Sequence, residues 1–171
     1  VSLPHDLLDQ AKHLCRKEPK RPKQSSLRRG VSTAYYALFH LLVDAACNRL
    51  VSGSGTSREQ LRHVLARAFS HAEMKKVSVS FAGGTLKDEW KDGAGVANVP
   101  VDLRGVARAF VELQEARHEA DYDMRRNFTR QEANDLVARC ESAFTSWTSC
   151  RKSHIADTYL VALLVNKQLK S

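Results

Sequence analysis

The sequence predicts an all-α protein, an antiparallel bundle of four to five helices with a long irregular loop before the fourth. Three observations predict it. Apolar residues recur every three or four positions through most of the chain. Caps and breakers punctuate those runs at helix-like intervals. The only alternating stretch, VSVSF at 77–81, has no second strand to pair with.

The first helix is expected over 3–17, where Leu3, Leu7, Ala11 and Leu14 share a stripe and Pro4 fits a first turn. The segment EPKRPKQ (18–24), with two prolines among basic residues, must stop it. Ser25 or Ser26 is the expected cap of a second helix reaching about Leu50, on which Leu27, Val31, Ala34, Leu38, Leu41, Ala45 and Ala46 form the apolar face. The turn GSGT (53–56) precedes a third helix from about Ser57, carrying Leu61, Val64, Leu65, Ala68 and Phe69. From 77 to 100 the helical period is lost between AGGT and DGAGVANVP, and a flexible loop or lid around DEW is expected there. Asp102 caps a fourth helix with Leu103, Val106, Phe110 and Leu113. Thr129 and Glu132 form a capping box for a fifth, continued by Ala133, Leu136, Val137, Cys140, Phe144 and Trp147. The pattern leaves open whether that helix runs on to Tyr159–Val165 or bends near 149–153.

The 171 residues suit one domain (1–171) with a real hydrophobic core. No apolar run is long enough to cross a membrane, and the start of the chain, with His5, Asp6 and Asp9, lacks a basic region followed by an apolar one, so a cytoplasmic protein is expected. Four dispersed cysteines read as reduced structural thiols, without the spacing of a zinc site; neither metal nor cofactor is called for. A net charge of +8 favours anionic partners. There is no P-loop, no HExxH and no GxSxG, which removes the corresponding chemistries.

Two helical faces carry more polarity than packing needs. The stripe Val106, Phe110, Leu113 leads to Arg117, so a charge arrives on the packed face and needs a partner; Asp121 stands one turn later. The pair either stabilises the bundle or presents an anion-binding arginine oriented by its aspartate. On the second helix Arg29, Ser32, Tyr36 and His40 share a face, with Tyr35 and Phe39 beside it. Facing Arg117, Asp121 and Tyr122, they would line a polar pocket; otherwise the tyrosines fill core space with their hydroxyls bonded. His63, Arg67 and His71 form a further basic row, and Lys20, Arg21, Lys23, Arg28, Arg29 and Arg125, Arg126, Arg130 form basic clusters without the interleaved aromatics of a base-stacking surface.

The run LRRGVSTAYYALFHLL (27–42), followed by LRHVLARAFSHAEMK (61–75) and RHEADYD (117–123), resembles the HEPN superfamily of prokaryotic helical domains, in the branch with a serine before a double tyrosine and a later Arg-x-x-Ala-Asp-Tyr element. The resemblance implies a helical bundle that forms homodimers with functional groups near the dimer cleft, acting in toxin–antitoxin or phage-defence systems. The leading expectation is an RNA- or nucleotide-binding domain of this type, with Ser32, Tyr36, His40, Asp121 and Arg29, taken from the two helical faces, as binding residues. The active branch of the family resembles metal-independent ribonucleases, in which a histidine follows the arginine by four to six residues. Here the corresponding position is Tyr122, while His118 directly follows Arg117 and points about 100° around the helix. Arg58 and His63 have the spacing but fall in the third helix, outside the motif. A variant ribonuclease would therefore use Arg117 and Tyr122 as catalytic residues; tyrosine is a poor base at neutral pH but can donate a proton or hold a phosphate. The third alternative is a non-catalytic dimeric interaction module paired with a nucleotidyltransferase.

Overall fold

The computed structural model describes residues 2–167; these are all-helical, with helix over 76% of them and no strand among them. Among the described residues eight helices replace the expected four to five: α1 (Leu3–Arg16), α2 (Gln24–Leu50), α3 (Thr56–Ala66), α4 (His71–Ala82), α5 (Asp88–Ala94), α6 (Val101–Tyr122), α7 (Arg130–Cys150) and α8 (His154–Val165). Contacts cluster into two compact units, one formed by the chain through His40 with Ala109–Thr145, the other by Leu41–Arg108 with the chain from Ser146. The divisions fall inside α2, α6 and α7.

In the first unit Leu8, Ala11 and Cys15 of α1, Leu27, Val31, Ala34, Tyr35 and Leu38 of α2, Phe110 and Leu113 of α6, and Ala133, Val137 and Cys140 of α7 are buried, which is the apolar stripe each helix carries in sequence. Gly30 lets α1 and α2 approach: a Cβ there would lie 2.6 Å from the Cys15 sulfur and 3.3 Å from the Ala11 carbonyl oxygen. Cys140 donates to the Ala34 carbonyl at 3.2 Å, and burial pushes its thiol up to about 12. The α2 start differs from expectation because neither serine caps it. Ser26 donates to Glu18 at 2.8 Å, and the Gln24 side chain instead pairs with the backbone of Phe128, donating to its carbonyl at 2.7 Å and accepting from its N–H at 2.9 Å. The α7 capping box is formed: Thr129 N–H donates to Glu132 at 2.7 Å and Glu132 N–H to the Thr129 hydroxyl at 3.1 Å.

In the second unit the stretch 77–100 departs from the expected loop. The VSVSF residues lie in α4, whose buried positions Met74, Val77, Ser78 and Phe81 follow a helical period once Ser78 is counted among them. A serine is admitted to that face because Ser78 donates to the Met74 carbonyl at 2.7 Å and accepts from the buried Tyr159 hydroxyl at 2.8 Å. Tyr159 belongs to α8, which packs against α4 and α5, and its ring lies 4.9 Å from that of Phe81. DEW opens α5: Asp88 and Glu89 occupy the first turn, where the helix dipole favours acid, and Gly95, with φ 66°, closes the helix in a left-handed conformation. An antiparallel bridge, Thr85 with Asn98, clasps the ends of this segment, and Val99 N–H donates to the Gly84 carbonyl at 2.8 Å.

The remaining boundaries follow from local chemistry. Asp102 is not the cap but a first-turn acid, since α6 begins at Val101. The expected fifth helix is two, interrupted at 151–153, where Ser153 caps α8 by accepting from Ala156 N–H at 3.3 Å. Helix α3 buries no residue: Leu61 and Val64 are 52% and 66% exposed, and Phe69, past its end, takes the buried place. Because α3 ends at Ala66 and His71 opens α4, His63, Arg67 and His71 do not form one helical row. No helix among the described residues is long and apolar enough to cross a membrane.

Candidate functional site around Arg117

All seven residues expected at a site, Arg29, Ser32, Tyr36, His40, Arg117, Asp121 and Tyr122, lie in the first unit, on α2 and α6. Along α6 the positions Leu103, Val106, Phe110 and Leu113 are fully buried; the next two turns bring Arg117 and Asp121, whose side chains retain 17% and 27% of their exposure. The stripe thus emerges from the core at Arg117, and the charge sits at the boundary between packing and solvent.

Three of the α2 residues meet this emerging charge or its partner. Arg117 Nη2 donates to the Tyr36 hydroxyl at 2.8 Å, and Arg117 Nε lies 2.8 Å from Asp121 Oδ2, an ion pair too poorly aligned to count as a hydrogen bond. Ser32, buried, donates to the same Asp121 oxygen at 3.3 Å. The guanidinium carbon stands 6.0, 5.5 and 5.4 Å from the rings of Tyr35, Tyr36 and Tyr122, so aromatic faces surround it as well as oxygen atoms. Partial burial disfavours its charge, but Tyr36, Asp121 and Tyr122 outweigh that and hold its pKa above the ordinary arginine value. It is a permanent, oriented cation.

The two tyrosines have different employment. Tyr35 is completely buried beside Phe110, at 5.6 Å between rings, and burial drives its hydroxyl well above the ordinary range despite the opposing pull of Arg117. Tyr36 is half-buried and directs its oxygen to Arg117. His40, half-buried one turn on, has its ring 6.4 Å from that of Tyr36 and extends the same face. Arg29 is exposed and makes no polar side-chain contact among the described residues, so the structure does not join it to the cluster.

Tyr122 is 62% exposed and its ring lies 5.0 Å from that of His118, the residue four earlier, tilted by 51°. The histidine does leave the Arg117 face, as its position predicts, yet Tyr122 touches both neighbourhoods and links an exposed imidazole to the guanidinium.

One supporting residue escaped the sequence reading. Arg28, expected only as part of a basic cluster, donates to the carbonyls of Ala120 and Arg126 at 2.8 Å and to that of Asp123, capping the C-terminal end of α6 just beyond Asp121. Its partners are about ninety positions away in sequence, so no local signal marks them. Arg126 is likewise engaged, bridging Glu119 and Glu132 at 3.0 Å each over the Phe128 ring, and Arg130 donates to the Glu18 carbonyl. Three members of the basic clusters, Arg28, Arg126 and Arg130, are therefore spent on structure. Lys20, Arg21, Lys23, Arg29 and Arg125 are exposed, with no side-chain hydrogen bond or ion pair among the described residues, and remain available to an anion.

Chemically the cluster offers a fixed guanidinium with unspent N–H groups, two tyrosine hydroxyls, a carboxylate and two imidazoles nearby. This composition suits binding of a phosphate oxygen and proton donation to it. Among the described residues no three His, Cys, Asp or Glu side chains gather in a way that could hold a metal ion. Comparison with known families, characterised proteins and solved structures yields no match to this chain.

Proposed function

We propose that this is a HEPN-type helical domain, acting as a homodimer, whose Arg117 cluster binds RNA or a nucleotide through a phosphate group. The observation that carries the reading is the state of Arg117: a guanidinium emerging from the core, oriented by Asp121 and Tyr36 and still reaching solvent beside an exposed tyrosine. An arginine held this way loses little conformational freedom on meeting a phosphate, and its planar fork matches two phosphate oxygens. The order of the sequence elements, with Ser32 before Tyr35 and Tyr36 and the Arg117, Asp121, Tyr122 element later, supports the family reading independently of the geometry. A place in a toxin–antitoxin or phage-defence system follows from that family reading.

A second reading, metal-independent cleavage of RNA, is favoured by the contact between His118 and Tyr122 at 5.0 Å, which brings an imidazole next to the phosphate-binding position that the family motif would fill with histidine. The third, a module that docks a nucleotidyltransferase, rests on the share of Arg117 donors spent inside the protein. Incubating wild type and folded Arg117→Ala with mixed cellular RNA in excess chelator separates them. Cleavage by wild type alone supports the ribonuclease; retention of RNA without cleavage, lost in the variant, supports binding; neither retention nor cleavage by wild type refutes both and leaves the docking module.

A further inference from the structure

A second group of cations lies in the other unit and is untouched by the reading above. Ala45, Asn48, Arg49 and Ser52 at the end of α2, with Trp147, Arg151, Lys152 and Leu160, line a groove of about 450 Å³. That volume falls within the roughly 300–1,000 Å³ typical of small-molecule sites. Its apolar wall is Ala45, Leu160 and the edge of the buried Trp147; its charge is three cations with no acidic residue in the lining.

The bland explanation is that basic residues near helix ends merely complement backbone carbonyls. Arg49 does this: its Nη2 donates to the Arg151 carbonyl at 3.1 Å, and its Nε lies 2.6 Å from Asp157 Oδ1, a buried oxygen. Arg151 and Lys152 do not. Both are exposed, and neither side chain has a polar partner among the described residues. Arg49 is thus fixed by two contacts and its charge offset by Asp157, while the uncompensated charges of Arg151 and Lys152 stand next to it, a local excess of positive charge that a dianion would relieve. A continuous track for a nucleic-acid backbone would need further free cations along the groove, but the nearby Arg62 is committed to the carbonyls of Val51 and Gly53.

We infer that this groove binds a phosphate monoester of nucleotide size, its phosphate on Arg49, Arg151 and Lys152 and its organic part against Ala45, Leu160 and the Trp147 edge. Asn48 and Ser52 add hydrogen-bonding groups for that part. The inference is independent of the Arg117 cluster.

The test is calorimetric titration of the full chain with AMP, with adenosine and with a short single-stranded RNA. The proteins are Arg117→Ala, which removes any nucleotide held at the Arg117 cluster, and the same variant carrying also Arg151→Ser with Lys152→Ser, each checked for helicity by circular dichroism. Arg117→Ala should bind AMP at least about tenfold more tightly than adenosine, and the added groove substitutions should abolish that advantage. The inference is overturned if AMP binds Arg117→Ala no better than adenosine, or if the AMP advantage survives the loss of Arg151 and Lys152. It is also overturned if RNA alone binds and depends on Arg151 and Lys152, which would make the groove a backbone contact.

Discussion

Removing either member of the Arg117–Asp121 pair should expose a coupling that depends on both. Opposite unit charges about 4 Å apart attract by about 4 kcal/mol at an effective dielectric near 20. The two side chains keep 17% and 27% of their exposure, so solvent screens part of that attraction, and holding both chains in place costs entropy. The expected coupling is about 1–2 kcal/mol. Arg117→Ala, Asp121→Ala and the double variant, compared with wild type by urea denaturation, form the cycle that isolates it. Asp121→Ala alone should cost about 2 kcal/mol, since it strips the carboxylate from a guanidinium at the edge of the core and leaves Ser32 without its acceptor. A coupling below about 0.3 kcal/mol would refute the claim that the aspartate orients the arginine, because additivity is what unconnected sites give.

Other consequences follow from buried polarity and close packing. Ser78→Ala should destabilise more than Tyr159→Phe, about 2 against about 1 kcal/mol in urea denaturation, because the first leaves a buried tyrosine hydroxyl without its acceptor while the second leaves Ser78 still donating to Met74; the reverse order would contradict the assignment of donors. Glu132 is held down to about 2 by the Thr129 backbone N–H first, then by Arg126 and the Thr129 hydroxyl. Its folded-state pKa is lowered from 4.5, so the stability it confers is complete above that value and is lost as pH falls from about 5 toward 2. Glu132→Gln should flatten the fall in denaturation midpoint over that window, and an unchanged pH profile would count against the box. Gly30→Ala should destabilise despite the better helix propensity of alanine, since its Cβ meets the Cys15 sulfur. Adding Cys15→Ala should return part of the loss in thermal midpoint, whereas equal penalties with and without that change would place the strain elsewhere.

The residues that could be read from sequence are those whose meaning is carried by position on one helix. Stepping from Phe110 and Leu113 reaches Arg117, and stepping again reaches Asp121, so the ion pair follows from the helical period alone. The Ser32–Tyr36 face follows in the same way, and its meeting with Arg117 and Asp121 was a conditional that the hydrogen bonds at Tyr36 and Ser32 satisfy. What the period hides is polarity tolerated by a distant partner. Ser78 breaks the apolar pattern of α4 and makes VSVSF look like a strand; only the Tyr159 hydroxyl, about eighty positions away, makes a serine acceptable there. Arg28 reads as surface charge until the α6 carbonyls are in place to receive it. Glycines at 93 and 95 suggested a loop, although one of them, Gly95, serves as the left-handed stop of a short helix. Arg29 shows the opposite failure: it has the right spacing on the right face, but sits in solvent with no partner among the described residues.

The most direct test of the central claim is the salt dependence of binding to a fluorescent single-stranded RNA, measured by anisotropy for wild type, Arg117→Lys and Arg117→Ala. Loss of one phosphate contact should weaken binding by roughly tenfold and reduce the slope of log affinity against log salt by about 0.7 in Arg117→Ala. Arg117→Lys should keep the slope but lose affinity, because it retains the charge without the fork held by Tyr36 and Asp121. Equal affinity and equal slope in all three proteins would contradict the account and assign Arg117 to packing alone.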